Sequence, residues 1–171
     1  MPLTPNAEPP RVREPFVGVV AGGNHVAILV DAEETDGAFD VVEVLARPGG
    51  GPPPHCHAFA EWFRIIEGTL TFTGVRDGRI VPIAREGPGR VVVVPPGAWH
   101  GTINETSSPV RFTVVGRPGV MSRYFRKASV AVRSMDEPPS TEPPGPAELL
   151  RLAESLDIRF WSPSAEPPRG T

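Results

Sequence analysis

The chain has 171 residues, of which 39% are hydrophobic and 22% charged, and this length is enough for one domain with a single sizeable core. Its formal charge is −3, from 17 basic and 20 acidic residues, and no basic stripe marks a surface for nucleic acid. No apolar run approaches the roughly 18 residues of a membrane helix, and no charged-then-apolar leader opens the chain. We therefore predict a cytoplasmic protein that binds neither nucleic acid nor membrane, and Cys56, the only cysteine, excludes an intrachain disulfide.

Most of the 23 prolines lie towards the two ends of the chain. Because proline-rich stretches favour extended segments without a packed core, they predict where the compact part begins and ends. We predict a proline-rich N-terminal segment over residues 1–15 and a compact domain over 16–126. A C-terminal extension over 127–171 follows, and it ends in a proline-rich tail.

From Phe16 onward, short runs of valine, isoleucine and phenylalanine alternate with glycine, proline and aspartate-glycine turns, which predicts an all-β domain. The predicted strands, in chain order, are 16–20, 25–31, 39–47, 54–57, 61–67, 69–75, 79–84, 91–94, 99–104 and 110–116. Asp77 and Gly78 are typical of a tight hairpin, because type I′ turns need positive φ at both central positions. This many short strands, joined by short turns, favours an antiparallel sandwich or a closed barrel of the jelly-roll kind.

One helix is predicted, over residues 146–158, in the C-terminal extension. Its apolar residues recur at helical spacing, and Pro146 suits the first turn of a helix. We expect this helix to pack on the outside of the barrel.

A pair of histidines follows a glycine-proline run in the predicted strand 54–57. Because side chains alternate along a strand, His55 and His57 point the same way, with Cα atoms about 6.6 Å apart, while Cys56 points the other way. Two imidazoles at this spacing can bracket one ion at about 2.1 Å from each ring nitrogen. Glu61 follows after enough chain to turn into the next strand and present a carboxylate to the same point.

A third imidazole comes from residues 89–104, where a four-valine strand and a proline-glycine turn precede His100. Three histidines and one glutamate form a mixed nitrogen and oxygen ligand set, with positions left open for water or substrate. This set accepts Fe, Mn, Ni, Co or Zn as a divalent ion, and the sequence leaves the metal open. We predict one mononuclear site per chain.

Both stretches resemble the two sequence motifs of the cupin superfamily, in every spacing and in the right order. The first motif is matched by Gly49, His55, His57, Glu61 and Gly68. The second motif is matched by Gly89, Pro95, Gly97, His100 and Asn104. In outline the chain also resembles the small single-domain cupins described as quercetin 2,3-dioxygenase-like.

The resemblance implies a jelly-roll β-barrel with a C-terminal helix, and His55, His57, Glu61 and His100 as the metal ligands. It also implies a homodimer, because small cupins of this kind usually pair through outer strands. Exposed sheet edges and a proline-rich N-terminal segment favour the same association.

The strand parity that turns Glu61 inward also turns Phe63 and Ile65 inward, which predicts an apolar substrate pocket for a flat or hydrophobic small molecule. Three functions remain open. The first is a dioxygenase-like oxygenase acting on a small aromatic or enolisable compound, with Glu61 as the catalytic residue that holds the ion or takes a proton. The second is a metal-dependent isomerase or cyclase of secondary metabolism, and the third is a non-catalytic small-molecule-binding cupin. His25 is interpreted as structural or solvated.

Overall fold

The computed structural model describes residues 12–163. Predictions for residues 1–11 and 164–171, the outer parts of the two proline-rich segments, lie outside the described residues. Within 12–163 the elements run in the order β1 (Phe16–Val20), β2 (His25–Val30), β3 (Asp40–Ala46), β4 (His55–Cys56), β5 (Ala60–Glu67), β6 (Leu70–Arg76), β7 (Arg79–Glu86), β8 (Val91–Val94), β9 (Gly101–Ile103), β10 (Val110–Arg117), α1 (Met121–Ala128), β11 (Ser129–Val132), α2 (Pro146–Glu154) and β12 (Arg159–Phe160). All ten predicted strands are present, with bounds that shift by a few residues at most.

The strands form two main antiparallel sheets. The larger sheet has the order β11-β1-β2-β3-β10-β5-β8, the smaller has the order β7-β6-β9, and β12 pairs separately with β4. Neighbours such as β3 and β10, or β5 and β8, are distant in sequence, and such long-range antiparallel pairing is the pattern of a jelly roll. The predicted all-β jelly-roll fold is therefore confirmed.

The hydrophobic core lies between the two sheets. Ile65 and Phe63 of the larger sheet and Leu70 and Phe72 of the smaller one belong to one buried cluster. The rings of Phe63 and Phe72 meet edge to face, with centroids 5.2 Å apart. Such aromatic contacts add to the gain from apolar burial, so this packing holds the barrel closed around its interior.

Helix α1 was not predicted from the sequence. Met121, Tyr124, Phe125 and Ala128 have the i, i+3, i+4, i+7 spacing of one helical face, but the helix has only eight residues and its other positions are mostly basic. After α1 the chain returns as β11 to extend the larger sheet beside β1.

Helix α2 begins at Pro146 as predicted and ends at Glu154, four residues before the predicted end. The chain leaves the helix because Asp157 has a left-handed φ of 57°, which turns it into β12. Ala153 of α2 is fully buried, and α2 packs against α1. The helix therefore joins the core and does not simply lie on the outer surface of the barrel. Neither helix of the described residues is long and apolar enough to cross a membrane.

Candidate metal centre

The two histidine-bearing segments are joined through their backbones. The amide of His55 donates to the carbonyl of His100 at 2.7 Å, and the amide of His100 donates back at 2.9 Å. The amide of Gly97 donates to the carbonyl of His57 at 2.8 Å, so the turn before His100 is tied to the second histidine of the pair. Distant parts of the sequence are thereby fixed side by side.

Two glycines permit this close approach of the backbones. A Cβ atom on Gly51 would lie 2.1 Å from the carbonyl oxygen of Thr102, and one on Gly101 would lie 2.8 Å from the carbonyl oxygen of Pro52. Gly51 also has a φ of 137°, which few other residues adopt. A side chain at either position would push the segment that precedes His55 away from the strand that follows His100.

The structure brings the four predicted ligands together. One ligand atom each from His55, His57, Glu61 and His100 lies within 4.8 Å of all the others. The Oε2 atom of Glu61 is 2.8 Å from Nε2 of His100 and 3.2 Å from Nε2 of His57. His57, Glu61 and His100 are buried, and His55 is half-buried. The cluster is thus an enclosed polar group inside an apolar barrel.

Each imidazole is oriented by a hydrogen bond to the backbone. Nδ1 of His55 donates to the carbonyl of Pro53 at 3.0 Å, and Nδ1 of His57 donates to that of Phe59 at 2.9 Å. Nδ1 of His100 donates to the carbonyl of Ala98 at 3.0 Å. Because a carbonyl oxygen only accepts, Nδ1 carries the hydrogen in all three rings. Nε2 is therefore the atom left to bind an ion, and the backbone holds it in place as supporting groups do around metal sites.

The electrostatics of the cluster favour a cation. Burial alone would raise the pKa of Glu61, but hydrogen bonds from His100 and His57 outweigh it and lower the pKa to about 2. A ring that already donates from Nδ1 can donate from Nε2 only when it is positively charged. Burial and the neighbouring His100 lower the pKa of His55 to about 4. Simultaneous protonation of several imidazoles in the cluster is therefore unfavourable.

A single divalent metal ion can compensate the Glu61 charge without protonating several buried imidazoles. It accepts the lone pairs of all three Nε2 atoms and balances the Glu61 carboxylate. Ligand atoms on opposite sides of such an ion are about 4.2 Å apart. The four ligand atoms now lie within 4.8 Å of one another, so they need to move only slightly closer together to bind it. The four residues present therefore fit one transition metal ion, with sites left for other ligands.

The cluster opens onto a cavity of about 600 Å³, and His55, His57 and Glu61 line it. Phe63, which strand parity turns inward, is among the residues that line the cavity. Ile65 points to the same side of β5 but is buried in the core and does not line the cavity, because it lies one step farther from Glu61. Phe63 is thus at the cavity wall and Ile65 in the core, and which of the two contacts a substrate stays a prediction.

Sequence reasoning missed the part of the cavity wall that comes from beyond the barrel strands. This part includes Tyr124 and Phe125 of α1, Leu149 and Leu150 of α2, and Phe160 of β12. The apolar face of α1 was the available signal for the first two. From the sequence, His25 is interpreted as either structural or solvated. It is buried, and its Nε2 donates to the carbonyl of Glu137 at 2.9 Å, so its role is structural.

The fold and the cluster together define a jelly-roll barrel with a metal-type ligand set in its interior. Residues 42–116 match the family model described as the Cupin domain. The matched segment is therefore a cupin domain, and all four residues of the cluster lie within it. A sequence comparison with curated proteins gave no match.

Several solved structures resemble the chain. The polyketide cyclase RemF from Streptomyces resistomycificus is 27% identical, with 62% of this chain and 70% of that chain covered and a TM-score of 0.49. A sugar phosphate isomerase of the cupin superfamily from Silicibacter pomeroyi is 25% identical, with coverage of 63% and 75% and a TM-score of 0.48. An oxalate oxidase is 21% identical, with a TM-score of 0.48; the match covers 57% of this chain and 52% of that one.

Proposed function

We propose that this cupin is a metal-dependent oxygenase of the dioxygenase type, acting on a small aromatic or enolisable compound. The observation that carries the proposal is the direct opening of the four-ligand cluster onto a large apolar cavity. A volume of about 600 Å³ lies within the range of small-molecule sites. Both O2 and an apolar ring compound favour such a space over water.

His55, His57, Glu61 and His100 would hold the ion. When bound, a redox-active ion such as Fe(II) would supply electrons for the activation of O2, whereas a redox-inert ion would polarise a carbonyl group. The chain's own residues orient the ligands through the three Nδ1 hydrogen bonds and exclude water with the apolar cavity wall.

Among the residues of 12–163 that line the cavity, Glu61 is the only carboxylate. Its pKa of about 2 keeps Glu61 ionised at neutral pH, but it also makes the carboxylate a weak base, so only an acidic proton is within its reach. We therefore assign to Glu61 the removal of an acidic proton from an enol or phenol oxygen of the substrate, besides its role as a ligand.

Oxygen consumption tests the proposal. The protein, reconstituted with Fe(II), is given a panel of neutral catechols, flavonols and 1,3-diketones, and O2 uptake is measured beside product formation. We expect uptake with at least one class of compound, and we expect no uptake from the His100→Ala variant under the same conditions. The same mixtures are then incubated under argon.

Two results would contradict the oxygenase proposal and support a different function. Turnover that continues under argon would identify an isomerase or cyclase that uses the same four ligands. Binding of metal and compound without turnover in either atmosphere would identify a non-catalytic binding cupin.

A further inference from the structure

The wall of the cavity carries almost no charge. Apart from the metal-type cluster, no lysine, arginine, aspartate or glutamate is among the residues that line it within 12–163. Val44, Phe112, Phe125, Leu149 and Phe160 supply aliphatic and aromatic surface instead. A carboxylate, phosphate or sulfate group on a ligand would lose its hydration here without gaining a positive partner from the wall. The wall therefore favours neutral ligands with large apolar surfaces.

Among the described residues, Tyr124 is one of three uncharged polar residues in this wall, with Asn24 and Thr102. It lies on α1 and lines the cavity, and its ring packs against Phe125 with centroids 5.3 Å apart. Its hydroxyl makes no hydrogen bond with any residue that the structure describes. Burial raises the pKa of Tyr124 above its usual value, so the hydroxyl stays protonated and remains able to donate. Tyr124 is half-buried and its hydroxyl keeps some access to solvent, so an oxygen acceptor on a bound ligand can replace water as its partner.

The helix that carries Tyr124 is held firmly. The amide of Ser122 donates to Oδ2 of Asp40 at 2.7 Å, and Oγ of Ser122 accepts from the amide of Ala32 at 3.2 Å. Arg126 donates twice to the Asp31 carboxylate, at 2.9 and 2.7 Å. A hydroxyl on so firmly attached a helix is positioned before the ligand arrives, which is what selective recognition requires.

We propose that the cavity selects a neutral, largely apolar ring compound that carries an oxygen acceptor, and that the Tyr124 hydroxyl donates a hydrogen bond to this oxygen. Tyr124 is thus a specificity-determining residue contributed by α1. The inference rests on the proposed function for the role of the cavity as a substrate site, and it narrows the substrate to an uncharged ketone or phenol of fused or linked rings.

Three matched probes test this inference in the metal-free protein. They are 9-fluorenone, which has a carbonyl acceptor, fluorene, which has the same ring frame without the acceptor, and 9-fluorenone-2-carboxylate, which adds a negative charge. We expect wild type to bind fluorenone at least about tenfold more tightly than the carboxylate, in line with the cost of burying an unpaired charge. Equal or tighter binding of the carboxylate would overturn the claim of selection for neutral ligands.

The variant Tyr124→Phe isolates the hydroxyl, because the ring stays in place. We expect it to weaken fluorenone binding about three- to tenfold, the usual worth of one hydrogen bond, while fluorene binds both proteins equally or binds the variant better. An unchanged affinity for fluorenone, or an equal loss for both probes, would overturn the role of the hydroxyl. An unchanged melting temperature of the variant serves as the control for folding.

A second readout needs no variant. Tyr124 is the only tyrosine of the chain, so a protein labelled with ¹³C at the tyrosine ζ carbon gives one signal from this site. The signal should shift more on addition of fluorenone than of fluorene, and equal shifts would contradict the hydrogen bond. Metal content and metal-dependent turnover are measured separately, after samples of the same protein are reconstituted with Fe(II). Their absence would refute the proposed function, whereas the probe affinities alone decide the inference.

Discussion

Each histidine of the cluster has one ring nitrogen engaged with the backbone and the other facing the ion site. This division of roles fixes the imidazoles within a largely apolar interior, and Glu61 is the one carboxylate of the cluster that can balance a bound cation. A site made in this way depends on every member, because the loss of one ligand leaves the remaining buried polar groups without compensation.

We expect His100→Ala to lose metal more completely than Glu61→Gln. Glutamine still offers a carbonyl oxygen to the ion, whereas alanine offers no ligand atom. Bound metal stabilises the folded state by about 2.7 kcal/mol when its concentration is a hundred times the dissociation constant, and His100→Ala should lose most of this gain. Metal content by elemental analysis and melting temperature with and without metal provide the measurement.

The matched control is His25→Gln, which alters a buried histidine outside the cluster. This variant should melt earlier because its hydrogen bond to the Glu137 carbonyl is disturbed, yet it should keep one equivalent of metal. A His100→Ala protein that retains a full equivalent, with an unchanged metal-dependent melting shift, would disprove the four-ligand site.

At the scale of elements, α1 decides the shape of the cavity, and its position depends on a few polar contacts. Ser122 is fully buried and connects the helix to the chain at Ala32 through its Oγ atom. Removal of the hydroxyl leaves the Ala32 amide without this acceptor inside the protein, and such an unpaired buried group costs about 1–3 kcal/mol.

We therefore expect Ser122→Ala to lower the free energy of unfolding by about 1–2 kcal/mol, despite the better helix propensity of alanine. The control is Ser155→Ala, at an exposed serine whose Oγ donates to the Leu152 carbonyl near the end of α2. That change should lie within about 0.5 kcal/mol of wild type, as surface changes usually do. Urea denaturation measures both, and equal effects would contradict a special role of Ser122.

The ion pair between Asp31 and Arg126 gives α1 a dependence on pH. Burial alone would raise the pKa of Asp31, but hydrogen bonds from Arg126 and from the amide of Glu33 outweigh it and hold the pKa below its ordinary value of 3.8. A carboxyl whose pKa is lowered by folding stabilises the protein above its unfolded pKa. That stabilisation disappears as the pH falls through the lower folded pKa.

Asp31→Asn should therefore reduce the free energy of unfolding at pH 7 by about 1 kcal/mol, a modest amount because Arg126 is half-exposed and solvent screens the pair. The difference from wild type should stay constant down to about pH 5, shrink below the ordinary pKa and vanish below the folded pKa. Denaturation at a series of pH values provides the test. A difference that persists unchanged in strong acid would show that the ion pair is not its source.

The elements also show where sequence reasoning succeeds and where it fails. The clustering of the four site residues was predictable because strand alternation and motif spacing are local properties: His55 and His57 are two residues apart, and Glu61 lies near the start of the next strand. The strand β11 and the two-residue β12 were not, because they form only through pairing with β1 and β4, far away in sequence. The same holds for Tyr124, whose place in the cavity follows from how α1 docks.

Strand parity has a similar limit within the site. It states correctly that Phe63 and Ile65 face inward, but it gives no distance along the barrel axis. Only the packing of the smaller sheet and the helices decides that Phe63 borders the cavity while Ile65 joins the core. The side of the sheet on which a residue lies can thus be predicted from the sequence, whereas its position along the barrel axis depends on tertiary structure.

At the scale of the whole molecule, the outer face of the larger sheet carries a row of apolar side chains. Val41, Val115, Trp62 and Val93 are register partners on β3, β10, β5 and β8, and their side chains point away from the core. Val93 is 59% exposed on the edge strand β8. A continuous apolar row that ends at a free sheet edge favours association with a second, identical face about a twofold axis.

We expect the protein to be a homodimer that uses this outer face, and two matched variants test the expectation. Val93→Glu places a charge at the end of the row, and Ile83→Glu places one on β7 of the smaller sheet, where the side chain is similarly exposed at 53%. Both changes affect branched apolar residues at the surface, so neither should unfold the chain. Sedimentation at micromolar concentration should give a dimer for wild type and Ile83→Glu, and a shift towards monomer for Val93→Glu because a charge buried at an interface is costly. A wild-type monomer would refute the dimer, and a Val93→Glu protein that dimerises as tightly as wild type would place the interface elsewhere.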